Sequence, residues 1–297
     1  MTPIVSTTSR TRPVYNKRLA AARRLLISAF NYTLLSVVAL LFLVPFFWLI
    51  VTSLKPLNQV FTDPVRWLPD PVMWENYVTA LTSPAFQFVL LLRNTVFYAG
   101  VSMVGVTLSS AIVAYGFARL RFWGRDTLFV ITLATMMLPA IVTLIPTYIL
   151  FRKFGWVGSY APLIVPHFFG SAFNIFLLRQ FLLTIPWDFT DAALVDGAGE
   201  FTILWRIMLP LVKPALLVVA VLHFMFAWND FLGPLIYLDN SNEYPLVLGL
   251  YAFQTRFGIQ WHLLMAATLS TTFPLILLFF AAQRYFIEGI TLGGVKG

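Results

Sequence analysis

The chain is 297 residues long, with 59% hydrophobic residues, 11% charged residues and a formal net charge of +8. Soluble domains average about 25% charged residues, so this composition excludes an ordinary water-soluble protein. The chain has no cysteine, and its three histidines lack metal-ligand spacing, so no metal site is predicted. No lysine follows a glycine, which removes the end of a phosphate-binding P-loop. We therefore expect neither enzymatic activity nor a cofactor in this chain.

Six nearly uncharged runs are long enough to cross a bilayer core, which needs about 20 apolar residues in a helix. They predict transmembrane helices at 27–52, 92–117, 128–149, 161–183, 214–237 and 263–285. The prolines inside these runs are compatible with membrane helices, whose neighbours re-satisfy the freed carbonyl groups. The predicted fold is an all-α membrane protein with a six-helix domain at 27–285, a basic tail at 1–26 and a second tail at 286–297.

Basic residues indicate how the chain is oriented. Six precede the first span, which is too long for a signal-peptide core and is predicted to stay as an anchor: Arg10, Arg12, Lys17, Arg18, Arg23 and Arg24. With six spans the two termini share one side, and that side carries most of the basic residues. The positive-inside rule then predicts that both termini are cytoplasmic. The positive charge is thus a topology signal, and nucleic-acid binding is not expected.

The loop after the first span, residues 56–90, is the proline-rich loop. Its first half carries four prolines, which break regular structure, together with Trp67, Trp74 and Tyr77. Aromatic residues near a membrane end are typical of the interfacial belt. They are equally compatible with a docking surface for an external protein, and the sequence leaves both interpretations open.

The loop after the fourth span, residues 184–213, is the elbow. Pro186 suits the first turn of a helix, and Asp188 and Asp191 then fall where carboxylates favour the helix dipole. Gly197 follows this run, as a glycine does where a chain leaves a helix in the left-handed conformation. The pattern predicts a short helix that ends at a glycine turn.

A second short helix is predicted from Glu200 to just before Pro210. Four apolar residues recur at helical spacing and predict one packed face: Phe201, Leu204, Trp205 and Met208. A helical hairpin lying on lipid headgroups is the alternative, but such hairpins are rich in lysine. The elbow instead has four acidic residues between 188 and 200, which anionic lipid repels, so a protein partner is favoured.

The elbow resembles the cytoplasmic signature of the membrane subunits of bacterial ABC importers. That signature reads E-A-A, three residues, G, nine residues, I-x-L-P. The matching residues here are Asp191, Ala192, Ala193, Gly197, Ile207, Leu209 and Pro210. Asp191 stands where the family has glutamate, which shortens the reach of the carboxylate. The resemblance implies that these residues, with Asp196 beside the glycine, couple the chain to an ATPase.

Three further stretches resemble the carbohydrate-uptake branch, in particular the smaller permease subunit of maltose-type importers. They are W-x-P-x-P-x-x-W-E-N-Y at 67–77, FAWNDFLGPLIYL at 226–238 and the terminal EGITLGGVKG. The resemblance implies a type I importer permease in the bacterial cytoplasmic (inner) membrane. Its expected substrate is a sugar or polyol; within the family a non-sugar solute such as glycerol phosphate or an amino acid is the alternative.

The resemblance also implies partners. Two cytoplasmic ATPase subunits bind ATP and Mg²⁺, a second homologous permease completes the pathway, and an external solute-binding protein delivers the substrate. The proline-rich loop is the expected contact for the binding protein. A self-sufficient secondary transporter is the alternative from another class, but it predicts inverted repeats with matching broken helices, which the sequence lacks.

Asp230 lies 16 residues after Pro214, which places it in the outer part of the fifth predicted span. An acid in hydrocarbon costs about 2.5–3.5 kcal/mol on insertion scales, so such residues usually face a cavity or a partner. One interpretation places it with Trp228 and Asn229 on the translocation pathway. The other has it capping a helix break before Gly233 and Pro234, and the sequence does not choose between them.

Overall fold

The computed structural model describes residues 17–256 and 260–294, and within these ranges the chain is helical with no strand. The α-helices are α1 (Lys17–Ser53), α2 (Glu75–Thr82), α3 (Phe88–Arg119), α4 (Arg125–Ala134), α5 (Ala140–Lys153), α6 (Ala161–Ile164), α7 (Ala172–Thr184), α8 (Asp188–Val195), α9 (Glu200–Ile203), α10 (Leu209–Leu211), α11 (Lys213–Trp228), α12 (Leu232–Tyr237), α13 (Leu246–Arg256) and α14 (Trp261–Gly294).

Four helical segments among the described residues are long and apolar enough to cross a membrane. They are Arg24–Ser53, Phe88–Arg119, Ala161–Thr184 and Trp261–Gln283. Two bent pairs pass the same test together, Arg125–Met137 with Ala140–Lys153 and Glu200–Leu211 with Lys213–Trp228. The described chain therefore provides four spans, or six if each bent pair crosses once. Helix also covers residues 17–26 and 286–294, which were predicted as tails.

The predicted continuous helix at 128–149 is wrong, because the chain bends by 99° between α4 and α5. A 3₁₀ turn, Thr135–Met137, ends α4, and Leu138 is extended with ψ 117°. A residue before proline is pushed out of the α region, and Pro139 follows here. The proline thus interrupts the helix of this span instead of being accommodated within it.

The predicted helix at 214–237 is also interrupted. α11 ends at Trp228, and the chain resumes as α12 at Leu232. The Asp230 carboxylate accepts a hydrogen bond from the Gly233 backbone N–H at 3.1 Å, across this break. A Cβ at Gly233 would lie 2.5 Å from Asp230 Oδ2 and 2.9 Å from a Leu163 methyl group, so any larger residue would have to displace these side chains.

The chain divides into one unit through Val51 and a second from Thr52 onward. In the first unit, the side chains of α1 are exposed throughout residues 24–45. In the second unit, α3 is the central helix and packs against both α7 and α11. Small residues permit this close packing, as Ala111 and Ala114 show by being buried beside Leu178 of α7.

Candidate functional site

The first half of the elbow ends in a Schellman turn. Gly197 has φ +79°, and its N–H donates to the Leu194 carbonyl at 3.0 Å. The Ala198 N–H donates to the Ala193 carbonyl at 2.9 Å, which completes the paired hydrogen bonds of this motif. The predicted left-handed glycine is confirmed. A Cβ at Gly197 would have no heavy atom within 4 Å, so the need for glycine is conformational rather than steric.

The signature residues on α8 divide between the protein core and the surface. Ala193 is 5% exposed and packs in the core cluster beneath the elbow. Asp191, Ala192 and Asp196 are exposed. Among the described residues neither of these aspartates forms an ion pair. α8 is therefore held to the core through Ala193, and the carboxylates of Asp191 and Asp196 point outward.

A surface hollow of about 620 Å³ opens beside α8. Residues from both halves of the elbow line it, including Asp188, Phe189, Ala192, Ala193, Asp196 and Ile207. Exposed apolar side chains continue around it, since Phe189 is 47% and Val195 is 87% exposed. The elbow thus combines an exposed apolar surface with carboxylates at its edge, which is the composition of a protein-binding surface rather than of a lipid-binding one.

The second half of the elbow differs from its prediction at its end. Helix continues from α9 through a π segment, Leu204–Met208, and through Pro210, and it stops only at Val212. Proline has no backbone N–H, so it removes one hydrogen bond from a helix. A π turn directly before it is a known accommodation of such a disturbed ladder.

The predicted apolar face of this second helix is only half correct. Leu204 and Met208 are buried, and Ile203 rather than Phe201 completes the buried side. Phe201 is 73% exposed and Trp205 is 39% exposed, with their rings 5.8 Å apart. The 3.6-residue pattern therefore does not describe which side chains of this helix meet the core.

Arg119, at the end of α3, anchors the entrance to the elbow. It is 5% exposed, and its Nη2 donates to the carbonyls of Leu182 at 2.7 Å and Ile185 at 2.6 Å. These are carbonyls at the end of α7, where a cation satisfies acceptors that have no helical partner. The guanidinium also lies over the Trp187 ring, 4.8 Å from its centroid.

One turn earlier on α3, Tyr115 donates a hydrogen bond to the Glu200 carboxylate at 2.5 Å. Tyr115 and Arg119 are four residues apart and so share one face of α3. Together they hold both halves of the elbow against the same helix. Neither of these two contacts was predicted from the sequence.

The proline-rich loop is folded back on its own start. The Met73 N–H donates to the Leu54 carbonyl at 2.8 Å, and Asn76 Nδ2 donates to the carbonyls of Ser53 and Lys55, both at 2.9 Å. The Lys55 ammonium is buried and donates to the Arg66 carbonyl at 2.5 Å. Burial lowers the pKa of Lys55. The loop is thus ordered by hydrogen bonds to backbone carbonyls.

The three aromatic residues predicted for docking are not equivalent. Trp67 is 59% exposed and Trp74 is 68% exposed. Tyr77 is partly buried, and its hydroxyl hydrogen-bonds Ser53 Oγ at 2.7 Å, so it stabilises the fold of the loop. Of these three residues, only the two tryptophans expose most of their surface.

The predicted pathway residues are likewise separated. Trp228 is 3% exposed, belongs to a core cluster and donates through its indole N–H to the Thr271 carbonyl at 3.3 Å. The structure therefore does not offer this ring as a stacking plane. Asn229 is exposed, and Asp230 accepts from the Tyr98 hydroxyl at 2.8 Å as well as from Gly233. These contacts of Asp230 are the ones that the helix-cap interpretation predicts.

A second polar cluster was not predicted. The rings of His167 and His223 meet edge to face with centroids 4.4 Å apart, beside a hollow of about 500 Å³ between α7 and α11. The two histidines come from different spans, so no sequence spacing relates them. The only available signal was that each is a polar residue within an apolar run.

The apolar helices and the elbow between two spans define a transmembrane subunit of a transporter. Residues 105–291 match the family of binding-protein-dependent transport system inner membrane components. The chain is 34% identical to an arabinooligosaccharides transport system permease protein of Bacillus subtilis, over 87% of this chain and 92% of that protein. The chain belongs to this family of transporter permeases, which are transport components without an ATPase site of their own.

Two further relatives are similar over most of their length. The trehalose/maltose transport system permease protein of Thermococcus litoralis is 30% identical over 87% of this chain and 93% of its own. The crystal structure of a bacterial ABC transporter involved in the import of the acidic polysaccharide alginate contains a chain with a TM-score of 0.78. It is 26% identical, and the match covers 93% of this chain and all of that one.

Proposed function

We propose that this chain is one of two permease subunits of an ATP-driven importer for a sugar or related polyol. In this proposal it crosses the bacterial cytoplasmic membrane six times, with both termini in the cytoplasm. The observation that carries the coupling role is the geometry of the elbow, which the core holds through Ala193 while Asp191 and Asp196 remain exposed.

Coupling through the elbow follows from its connections. α8 lies between α7 and the second elbow helix, which leads into α11. Arg119 fixes the end of α7, and Tyr115 holds Glu200. A push on α8 by a closing pair of ATPase subunits therefore reaches two spans at once. Partner ATPases bind ATP and Mg²⁺, and their basic residues face Asp191 and Asp196.

The remaining partners are proposed from the rest of the chain. A second homologous permease completes the translocation pathway. In this proposal Asn229 and Asp230 lie close to that pathway. An external solute-binding protein docks on the proline-rich loop through Trp67 and Trp74. Tryptophan is enriched among the residues that dominate binding energy in protein interfaces, which favours docking over a purely interfacial belt.

The sugar class is supported by the relatives. Two of those reported above are named for arabinooligosaccharides and for trehalose and maltose, at 34% and 30% identity over most of both chains, and the third, at 26% identity, belongs to an importer of the acidic polysaccharide alginate. The chain has 16% aromatic residues, and faces of aromatic rings suit the apolar faces of sugar rings. We propose a neutral oligosaccharide as the transported solute.

The proposal is tested in two steps. A tagged chain is purified from its native membrane, and mass spectrometry identifies the proteins that accompany it; two ATPase copies, a second permease and a binding protein are expected. The complex is then reconstituted in vesicles and given maltotriose, arabinotriose, glycerol 3-phosphate or an amino acid mixture. Uptake of a neutral sugar that requires ATP and the binding protein is expected. Uptake by the isolated chain, or uptake of the phosphate or amino acids alone, would contradict the proposal.

A further inference from the structure

The hollow between α7 and α11 lies where the fourth span is irregular. The segment Ala161–Thr184 contains α6, a 3₁₀ stretch at Val165–Phe169 and Gly170 at φ +87° before α7 begins. Non-helical backbone at membrane depth is tolerated only where protein covers it or where it lines a cavity. The hollow of about 500 Å³ lies against this stretch, since His167 and Ser171 both line it.

Two serines of α3 complete the irregular segment. Ser109 Oγ donates to the His167 carbonyl at 3.1 Å, and Ser110 Oγ accepts from the Ser171 N–H at 3.1 Å. These bonds replace helical hydrogen bonds that the break removes. Hydrogen bonds from α3 therefore stabilise one side of the segment, and its other side faces the hollow.

The opposite wall of the hollow is α11. His223 and Phe226 line the hollow from this helix, and Phe173 and Asn174 line it from α7. His223 is 8% exposed, and its Nε2 has no hydrogen-bond partner among the described residues. An unpaired polar atom buried in this way destabilises the fold, so a partner for it is expected in the working protein.

The lining selects a class of ligand. Two imidazoles, one amide and one hydroxyl supply hydrogen bonds, the rings of Phe173 and Phe226 supply apolar faces, and no lysine, arginine or carboxylate is present. This combination suits an uncharged ring that carries several hydroxyl groups. The volume is within the range of about 300–1,000 Å³ that small-molecule sites occupy. A lipid chain would leave the polar groups unpaired, and an acidic sugar would meet no cation.

The hollow also lies between the two helices that the elbow connects. Its two walls are the helices on either side of the elbow, because α7 runs into the elbow and α11 leaves it. A movement of the elbow therefore shifts both walls and changes their contacts with a bound ligand. We propose that this hollow, lined by His167, Asn174, His223 and Phe226, is a binding subsite for a neutral sugar unit that is sensitive to the elbow position. The proposal depends on the proposed import function for its ligand.

The first test asks whether the hollow contains water in the assembled complex. This chain has no cysteine, so a single Phe226→Cys variant gives a labelling site in this subunit. Phe226 is 61% exposed, and Val219, on the same helix but fully buried, provides the control Val219→Cys. A charged, membrane-impermeant methanethiosulfonate reagent labels only thiols in contact with water. We expect rapid labelling of Phe226→Cys, at a rate that changes when ATP is added, and slow labelling of the control.

Slow labelling of both variants, with or without ATP, means that lipid or the partner permease fills the hollow, and it overturns the proposal. This result needs no knowledge of the transported sugar. It is therefore distinct from a failure of the import function, which the uptake assay alone detects.

The second test asks whether the polar groups serve the sugar. His223→Phe preserves ring shape and removes the hydrogen-bonding atoms, whereas His223→Gln retains hydrogen-bonding capacity; His262→Phe, on α14 and outside the hollow, is the matched control. At saturating loaded binding protein, His223→Phe is expected to lower sugar imported per ATP by about two- to tenfold, the effect of one lost hydrogen bond. His223→Gln should recover part of this loss. An unchanged ratio in an assembled His223→Phe complex rules out the subsite.

Discussion

The elbow and the proline-rich loop are both long connections within the second unit, but they are ordered in different ways. The elbow is made of helix and rests on a hydrophobic core through Ala193, Ile203 and Met208. The proline-rich loop is mostly irregular between Leu54 and Trp74, and polar side chains such as Asn76 hold it by bonding backbone carbonyls. In the proposed function the elbow transmits the movement of the ATPase subunits, and the proline-rich loop presents side chains to the binding protein.

This difference has consequences for mutation. A rigid helical body fails when its turn geometry or its anchors fail, because the whole body then changes direction. A surface held by many separate hydrogen bonds tolerates the loss of one exposed side chain and changes only what that side chain binds. The largest mutational effects are therefore expected in the elbow.

The largest effects are expected from two single variants in the elbow, Gly197→Val and Asp191→Ala. Residues other than glycine pay roughly 1–2 kcal/mol at a left-handed φ, and a β-branched side chain is among the least suited to it. Truncating one partner of a buried charge pair costs about 2–5 kcal/mol, and Asp191 is expected to be buried against an ATPase. Both variants should insert normally, yet lose their ATPase subunits or hydrolyse ATP without transport, as detergent pull-down and ATPase assays on reconstituted complexes will show.

Gly199 supplies the control for this test. It lies two residues away, has φ −75° and, like Gly197, has no atom within 4 Å of an added Cβ. Gly199→Val should therefore retain ATPase binding and transport. Equal behaviour of the two glycine variants, or normal coupling in both Gly197→Val and Asp191→Ala, contradicts the role assigned to the elbow.

A second prediction concerns the anchor beneath the elbow. Arg119→Met retains most of the side-chain length but removes both hydrogen bonds to the carbonyls at the end of α7. Hydrogen bonds to charged groups contribute about 1.5–3 kcal/mol each, so a lower thermal unfolding temperature and weaker coupling are expected. Arg121→Met is the control, because Arg121 is exposed on the same connection. The measurements are unfolding in detergent and transported sugar per ATP; equal values for both variants exclude an anchoring role.

A third prediction sharpens the interpretation of Asp230. Asp230→Ala removes the acceptor for Tyr98 and for the Gly233 N–H, leaving two donors unpaired at a cost of about 1–3 kcal/mol each. Transport should fall more than assembly does, because the break between α11 and α12 loses its cap. Asp230→Asn keeps an oxygen acceptor and should retain at least half of the transport rate. If Asp230→Asn is as inactive as Asp230→Ala, the negative charge itself is required, which favours a pathway role over a cap.

The smallest effect is expected in the proline-rich loop. Trp67→Ala and Trp74→Ala each remove an exposed ring and should weaken binding-protein docking by about 1–2 kcal/mol, within the range of interface residues that matter. Stimulation of ATP hydrolysis by the loaded binding protein should fall, and basal hydrolysis should stay the same. Leu68→Ala, an exposed apolar neighbour, is the control. An unaltered response in both tryptophan variants assigns them to the interfacial belt.

Features set by local chemistry were predictable from the sequence alone. The apolar runs determine which segments suit a bilayer, because each residue adds its own transfer free energy. The glycine at 197 determines a left-handed turn, because the absence of a Cβ acts within one residue. The acids of the elbow determine that carboxylates lie on its exposed surface. None of these depends on which other segment lies nearby.

Other features were decided only by the tertiary structure. Whether Pro139 bends a span or is accommodated within a helix depends on its neighbours, and the packing of the elbow left Phe201 exposed rather than buried. Arg119 meets the end of α7, and His167 meets His223, only because α3, α7 and α11 pack together. Such contacts join residues distant in sequence, and their free energy depends on exclusion of water from both partners, which no local pattern of residues encodes.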